Sequence, residues 1–220
     1  MTDFAAARLN MVESQVRVNG VTDERVLAAM DSVPRERFVP AARQSLAYMD
    51  ECVRLTDERP ARYLIEPRVF GKLAQLAKIT SQDLVLDIGC GTGYSTAVLS
   101  RLAGTVIGLE SDAALAAQAG ALLSDIGADN AVVVTGALEQ GHADQAPYDV
   151  IFINGMVSAV PEELENQLRE DGRLVVVVGD GVAGRARLYI RSAGSFSGRD
   201  AFDANIPLLP GFEPAETFVF

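Results

Sequence analysis

An α/β fold with a mostly parallel central sheet is what the sequence predicts, and three observations carry the prediction. From about residue 80 onward, short apolar runs alternate with helical segments. A glycine-rich turn joins the first of those runs to its helix. The residues before that point show helical spacing without the alternation, so they read as a preface to the sheet.

Residues 1–79 are expected as an N-terminal helical extension packed on the core, and residues 80–220 as one compact α/β domain. Leu9, Val12 and Val16, then Val26, Leu27 and Met30, recur at helical spacing. Thr22, Asp23 and Glu24 offer an N-cap and an acidic first turn, while Pro34 and Pro40 break the chain between helices. Pro67, followed by Val69, Phe70, Leu73 and Leu76, starts a further helix. Leu84 to Ile88 is an apolar run ended by glycines, the pattern of a buried parallel strand. Thr96 to Leu99 and Leu102 follow on a helix. Thr105 to Glu110 is a second strand and Ala113 to Ile126 a second helix. Ala131 to Val134, Val150 to Ile153 and Arg173 to Val178 are further strands. Between the last two, a helix opened by Pro161 carries Leu164 and Leu168 on one side. After Gly184 the pattern changes: Arg187 to Ile190 and Glu216 to Phe220 read as strands closing one edge, in antiparallel fashion.

Composition narrows the chemistry. With a net charge of −11 and 19 scattered Lys and Arg residues, the chain lacks the basic stripe that grips a phosphate backbone, which argues against nucleic-acid partners. His142 is the only histidine and lies in a polar segment, so neither a histidine-based triad nor a multi-histidine metal site is expected. Cys52 and Cys90 are too few for a disulfide framework or a zinc site and read as free thiols in a reducing cytosol. The first residues lack a signal peptide's basic start, and no apolar run approaches the roughly 20 residues of a membrane helix. A cytoplasmic protein without membrane contact is the expectation. Oligomeric state is not encoded at this level.

The stretch Asp87-Ile88-Gly89-Cys90-Gly91-Thr92-Gly93-Tyr94 names a ligand class. Its glycines permit a tight turn and close backbone approach to a ligand. The spacing is GxGxG rather than the GxGxxG of a dinucleotide site, and Asp87 would repel a pyrophosphate. An acid there suits a cationic or amino-bearing ligand. Glu110 closes the second strand, where a carboxylate commonly takes both hydroxyls of a ribose. Adenosine carrying a charged amino-acid tail and no phosphate is S-adenosylmethionine, with S-adenosylhomocysteine as the product. The order of loop, Glu110 and later strand ends resembles the Rossmann-like class I S-adenosylmethionine-dependent methyltransferases; the competing reading is a dinucleotide fold with a variant loop. The resemblance implies cofactor contacts at Asp87, Gly89, Cys90, Gly91, Gly93, Glu110, Ser111, Gly136, Ala137 and Leu138. Cys90 reads as a tolerated small residue in the loop, and Tyr94 as packing behind it.

A nearer resemblance lies in the first half. Met11-Val12-Glu13-Ser14-Gln15-Val16-Arg17, Thr22 to Met30, Val33-Pro34-Arg35-Glu36-Arg37-Phe38-Val39-Pro40, Tyr48 and Asp50 look like the opening of the protein-L-isoaspartate O-methyltransferases. Val160-Pro161, Gln167-Leu168, Gly172-Arg173-Leu174 and Ile206-Pro207-Leu208 extend the likeness over nearly the whole chain. It implies methylation of the free carboxylate of isoaspartyl residues in damaged proteins, with a carboxylate-bearing protein or peptide as partner. A carboxylate with a reference pKa of roughly 4 is ionised at neutral pH, so the reaction needs no base, consistent with a site lacking histidine.

Three departures from the family's pattern stand out, two toward the acceptor and one toward the adenine. The family carries an Ile-Ser-x-Pro segment, and the matching residues here are Leu64-Ile65-Glu66-Pro67, with Ile65 in the serine's place. The family's Gly-Asp-Gly after the third strand appears as Gly136-Ala137-Leu138, leaving Glu139 or backbone groups to meet an adenine amine. Asn154 stands where a threonine is usual after the fourth strand. No catalytic residue is assigned; Glu66 and Asn154 are the polar candidates, Glu66 also fitting a helix N-terminus. Alternatives are a methyltransferase with a different acceptor, or a non-catalytic S-adenosylmethionine-binding protein.

Overall fold

A computed structural model describes residues 3–213 of the chain. Helix α1 (Phe4–Met11) is capped by Asp3, whose carboxylate accepts from the Ala6 N–H at 3.0 Å, and it continues through a π-helical turn, Val12–Val16. Val12 and Val16 are buried as their spacing predicts, whereas Leu9 faces outward. Helix α2 (Glu24–Ser32) takes Asp23 as its N-cap through the Arg25 N–H; Thr22 is instead held by Gln75 from a distant helix. Short 3₁₀ segments, Arg35–Phe38 and Ala41–Leu46, follow Pro34 and Pro40. Strands β1 (Val53–Arg54) and β2 (Tyr63–Leu64) pair antiparallel, a small ribbon inside the helical preface that helical spacing could not reveal. Helix α3 (Pro67–Ala77) starts at Pro67, where the missing N–H costs nothing.

The main sheet has seven strands: β3 (Leu84–Ile88), β4 (Thr105–Glu110), β5 (Ala131–Thr135), β6 (Tyr148–Val157), β7 (Leu168–Gly179), β8 (Gly184–Ser192) and β9 (Ser195–Asp203). Their order is β5-β4-β3-β6-β7-β8-β9, the first five parallel and the last two antiparallel. Helices α4 (Tyr94–Ser100), α5 (Ala113–Asp125) and α6 (Glu162–Asn166) connect the parallel strands. Alternate strand residues fill opposite cores. Val85, Val150, Phe152 and Val175 pack with Val16, Met30, Phe38 and Phe70 of the preface. Leu86, Ile88, Ile151 and Leu174 pack on the other face with Leu164, Leu209 and Phe212.

The structure corrects four expectations. Leu168 belongs to β7 rather than to the helix after Pro161, because it is drawn into register opposite Tyr148. Leu102 lies beyond the end of α4 and is buried there. Strand β6 runs past Ile153 to Val157 through an irregularity between Phe152 and Met156, so Asn154 lies within the strand. The outermost strand is β9, whose residues are mostly exposed and show no apolar alternation. Sheet pairing and the ion pairs of Asp200 with Arg185 and Arg187 hold this edge. Glu216 to Phe220 lie outside the described residues. Among the described residues, no helix is long and apolar enough to cross a membrane.

Candidate active site

The parallel sheet reverses its winding at β3, which has β4 on one side and β6 on the other, and the glycine loop leaves β3 at that point. Crevices at such switch points are where open α/β sheets bind ligands. Gly89, Gly91 and Gly93 have φ of 75°, 56° and 92°, conformations a side chain would strain. The Gly89 and Cys90 N–H groups donate to the Leu109 carbonyl, and Thr92 Oγ1 donates to the Phe38 carbonyl at 2.5 Å. That last bond fastens the loop to the Val33–Pro40 segment of the preface.

Asp87 is fully buried, and its oxygens are already engaged. They accept from Ser95 Oγ at 2.7 Å, Thr96 Oγ1 at 2.6 Å and Asn154 Nδ2. In this conformation it braces the loop against α4 and β6 instead of offering a free acid. Burial pushes its carboxyl up to about 6; the three hydrogen bonds oppose that shift, and the charge of Glu110 adds to it. A raised carboxyl pKa means that folding favours the protonated form. The resulting stability is full below about pH 4 and is lost as pH rises to about 6. Measured by urea unfolding, the stability of the wild type relative to Asp87→Asn therefore increases by up to about 3 kcal/mol on going from about pH 7 to about pH 4. A flat difference contradicts this role.

Glu110, also fully buried, closes β4 beside the loop. Its Oε2 accepts from the Gly91 N–H at 2.7 Å and from Arg62 Nη2 at 2.6 Å; its Oε1 accepts from the Ser111 and Asp112 N–H groups. Gly136, Ala137 and Leu138 follow β5, with the Gly136 N–H donating to the Glu110 carbonyl. Leu138 is buried and Ala137 exposed. The Glu139 carboxylate turns to the C-terminal segment, 2.7 Å from where a Cβ on Gly211 would stand. The loop residues Gly89, Cys90, Gly91 and Gly93, with Asp87, Glu110, Ser111 and the turn after β5, are thus gathered at the C-terminal ends of β3, β4 and β5. Burial raises the Cys90 thiol well above its ordinary value, as suits a packing residue.

The loop is covered by the chain itself. A Cβ on Gly89 would meet Leu209 Cδ1 at 2.8 Å and Arg62 Nη2 at 3.2 Å, and one on Gly91 would meet Leu55 Cδ1 at 2.7 Å. Beneath this cover Arg62, Ile65, Asn154 and Leu209 line a cavity of about 10 Å³, room for one water at most. Leu209 is held by its N–H on the Met156 carbonyl at 2.8 Å. Ile65 is held through its carbonyl, which accepts from Arg35 Nη2 at 2.7 Å. Arg35, fully buried, also donates to the Ala47 carbonyl and lies over the Tyr94 ring.

Ile65 and Asn154 therefore come together, but Glu66 points elsewhere. It pairs with Arg68 at 2.8 Å and lines an open groove of about 670 Å³ with Arg68, Arg185 and Asp203. The covering residues Leu55, Arg62 and Leu209 escaped the sequence reading. Arg62 stands three residues before Ile65, and that proximity was the one available signal.

The strand order, the glycine loop and the acid closing the next strand define a Rossmann-like methyltransferase fold. A solved protein-L-isoaspartate O-methyltransferase superposes with a TM-score of 0.81 at 25% identity, covering 94% of this chain and 67% of that one. A Plasmodium falciparum structure of the same description, in complex with S-adenosyl-L-homocysteine, shares the fold (TM-score 0.76, 18% identity, 93% of this chain and 98% of that one). The family model for protein-L-isoaspartate(D-aspartate) O-methyltransferase matches residues 7–206. The chain belongs to that family and is a methyltransferase. A protein-L-isoaspartate O-methyltransferase of Koribacter versatilis is 37% identical over 218 residues, covering 98% of this chain and 97% of that protein. The corresponding protein of Roseiflexus castenholzii is 39% identical over 177 residues, 80% of this chain and 79% of its own.

Proposed function

We propose that the chain transfers a methyl group from S-adenosylmethionine to the free carboxylate of isoaspartyl residues in proteins. The observation that carries this reading is the buried Glu110 set against the Gly89–Gly93 loop, in a chain of this family. The donor set fits the cofactor. Glu110 offers oxygens for two ribose hydroxyls, and the loop offers close backbone approach without Cβ atoms. The space above the loop is held here by Leu55, Arg62 and Leu209, so these side chains give way to the nucleoside.

Bound there, the sulfonium supplies an electrophilic methyl. The methyl would pass to an acceptor carboxylate that is already ionised, leaving S-adenosylhomocysteine, so no residue of the chain has a proton to move. The chain's work is positioning and exclusion of water. Asp87 braces the loop, Glu110 orients the nucleoside, and the segments bearing Leu55 and Leu209 close over both. The Gly89–Gly93 loop and Glu110 form the cleft floor, Leu209 covers it from one side, and Leu55 and Arg62 of the preface supply the rest of its cover. The groove at Glu66 adjoins the cleft through the Ile65–Glu66 peptide and is the route for the acceptor chain. Arg68 pairs with Glu66 and also with Asp50, and its positive charge offsets part of the repulsion that these two carboxylates offer an anionic acceptor. Free thiols at Cys52 and Cys90 fit a reducing cytoplasm.

The test is methyl transfer to an isoaspartyl peptide beside its aspartyl twin. Label is expected on the first alone. Background label on both, from folded protein that binds S-adenosylhomocysteine, removes the acceptor assignment.

A further inference from the structure

The closed cleft holds two fully buried carboxylates, Asp87 and Glu110, and one guanidinium, Arg62. The Arg62 side chain is 4% exposed, and its buried Nε has no partner among the described residues. Its Nη2 bonds Glu110 Oε2 and lies over Gly89, in the space assigned above to the nucleoside. Ile65, on the same segment and lining the same cavity, presents an apolar side chain there.

Resting on the methyl-transfer reading, we propose that Arg62 is the anchor for the acceptor's carboxylate, kept on Glu110 until the nucleoside takes that residue's oxygens. Glu110 cannot hold the guanidinium and two ribose hydroxyls in the same place. Once displaced, a cation in a water-poor cleft requires another anion. Asp87 does not supply it, because Ser95, Thr96 and Asn154 occupy its oxygens. Glu66 is already paired with Arg68. Two carboxylates remain, the acceptor's and that of the nucleoside's amino-acid tail; the fork, which grips both oxygens of a carboxylate, is assigned to the acceptor's because Ile65 offers it no polar group. Arg62 thereby makes binding ordered, nucleoside before acceptor. The same exchange makes Arg62 a competitor of the nucleoside.

Two carboxylates could receive the guanidinium, the acceptor's and that of the nucleoside's amino-acid tail. Calorimetry with S-adenosylhomocysteine and with 5′-methylthioadenosine, which lacks the tail, separates them, alongside peptide kinetics. Arg62→Ala is expected to bind both nucleosides about tenfold more tightly and to raise KM for an isoaspartyl peptide by about tenfold or more. Arg62→Gln, which keeps most of the bulk, gives the same readings where the alanine variant does not fold. Nucleoside affinity that is unchanged, or weakened for both ligands, overturns the proposal. Weaker S-adenosylhomocysteine binding with tighter methylthioadenosine binding places the guanidinium on the nucleoside's own tail and overturns the acceptor assignment. If the wild type binds S-adenosylhomocysteine yet methylates no isoaspartyl peptide, the acceptor half falls with the proposed activity, and the nucleoside arms alone decide whether Arg62 guards Glu110.

Discussion

Glu110→Ala is expected to weaken S-adenosylhomocysteine binding by about 100-fold or more in a protein that still folds. In the closed cleft Glu110 accepts from the Gly91, Ser111 and Asp112 N–H groups and from Arg62. The three amides fix the carboxylate's position at the end of β4, so its oxygens are aimed before any ligand arrives. Each hydrogen bond to a charged group contributes roughly 1.5–3 kcal/mol, and two ribose hydroxyls together account for two decades or more in affinity. Glu110→Gln, which keeps the shape and loses the charge, falls between wild type and alanine. Calorimetry reads both, with a thermal melt as the check on folding. An alanine variant that binds within a few-fold of wild type places the nucleoside elsewhere.

Arg35→Ala is expected to have the largest effect on stability, a loss of about 3–5 kcal/mol in urea unfolding. Arg35 is fully buried with no carboxylate partner among the described residues; it donates to the Ala47 and Ile65 carbonyls, both at 2.7 Å, and its guanidinium lies 4.7 Å from the Tyr94 ring centre. Truncation leaves two buried carbonyls unpaired and opens a cavity against Tyr94, Phe38 and Phe70, which pack around that ring. Relief of the buried charge offsets part of this, since burial already pulls the guanidinium's pKa down. The Ile65 carbonyl is one of the two anchors, so the loss also loosens the segment that covers the cleft. A change below about 1 kcal/mol would mean that the Val33–Pro40 block does not hold that segment.

Much of this was legible in the sequence, for physical reasons. Strands β3, β4 and β7 are covered on both faces, and a strand covered on both faces must be an apolar run. The glycine loop and Glu110 were visible because their geometry is local, fixed by spacing along one strand–turn–helix unit and the strand after it. Strand β9 was not, because an exposed edge carries no apolar alternation. Leu168 fitted helical spacing with Leu164, and only its register against Tyr148 decides for the strand. The departure at Ile65 could be seen in the sequence, but the residue beside it could not be valued. Arg62 meets Glu110, and Leu209 meets Gly89, only after the chain has folded from both of its ends onto one loop. The direction of a side chain at the end of such a path has no signature in local spacing.

The central claim is that the cleft sealed by Leu55, Arg62 and Leu209 is the cofactor site and opens to admit it. Titrating S-adenosylhomocysteine into the wild-type chain, the reference arm for the Glu110 variants, tests this most directly. Saturable binding in the micromolar range at one site per chain is the predicted result. No heat and no thermal shift at millimolar ligand would contradict it.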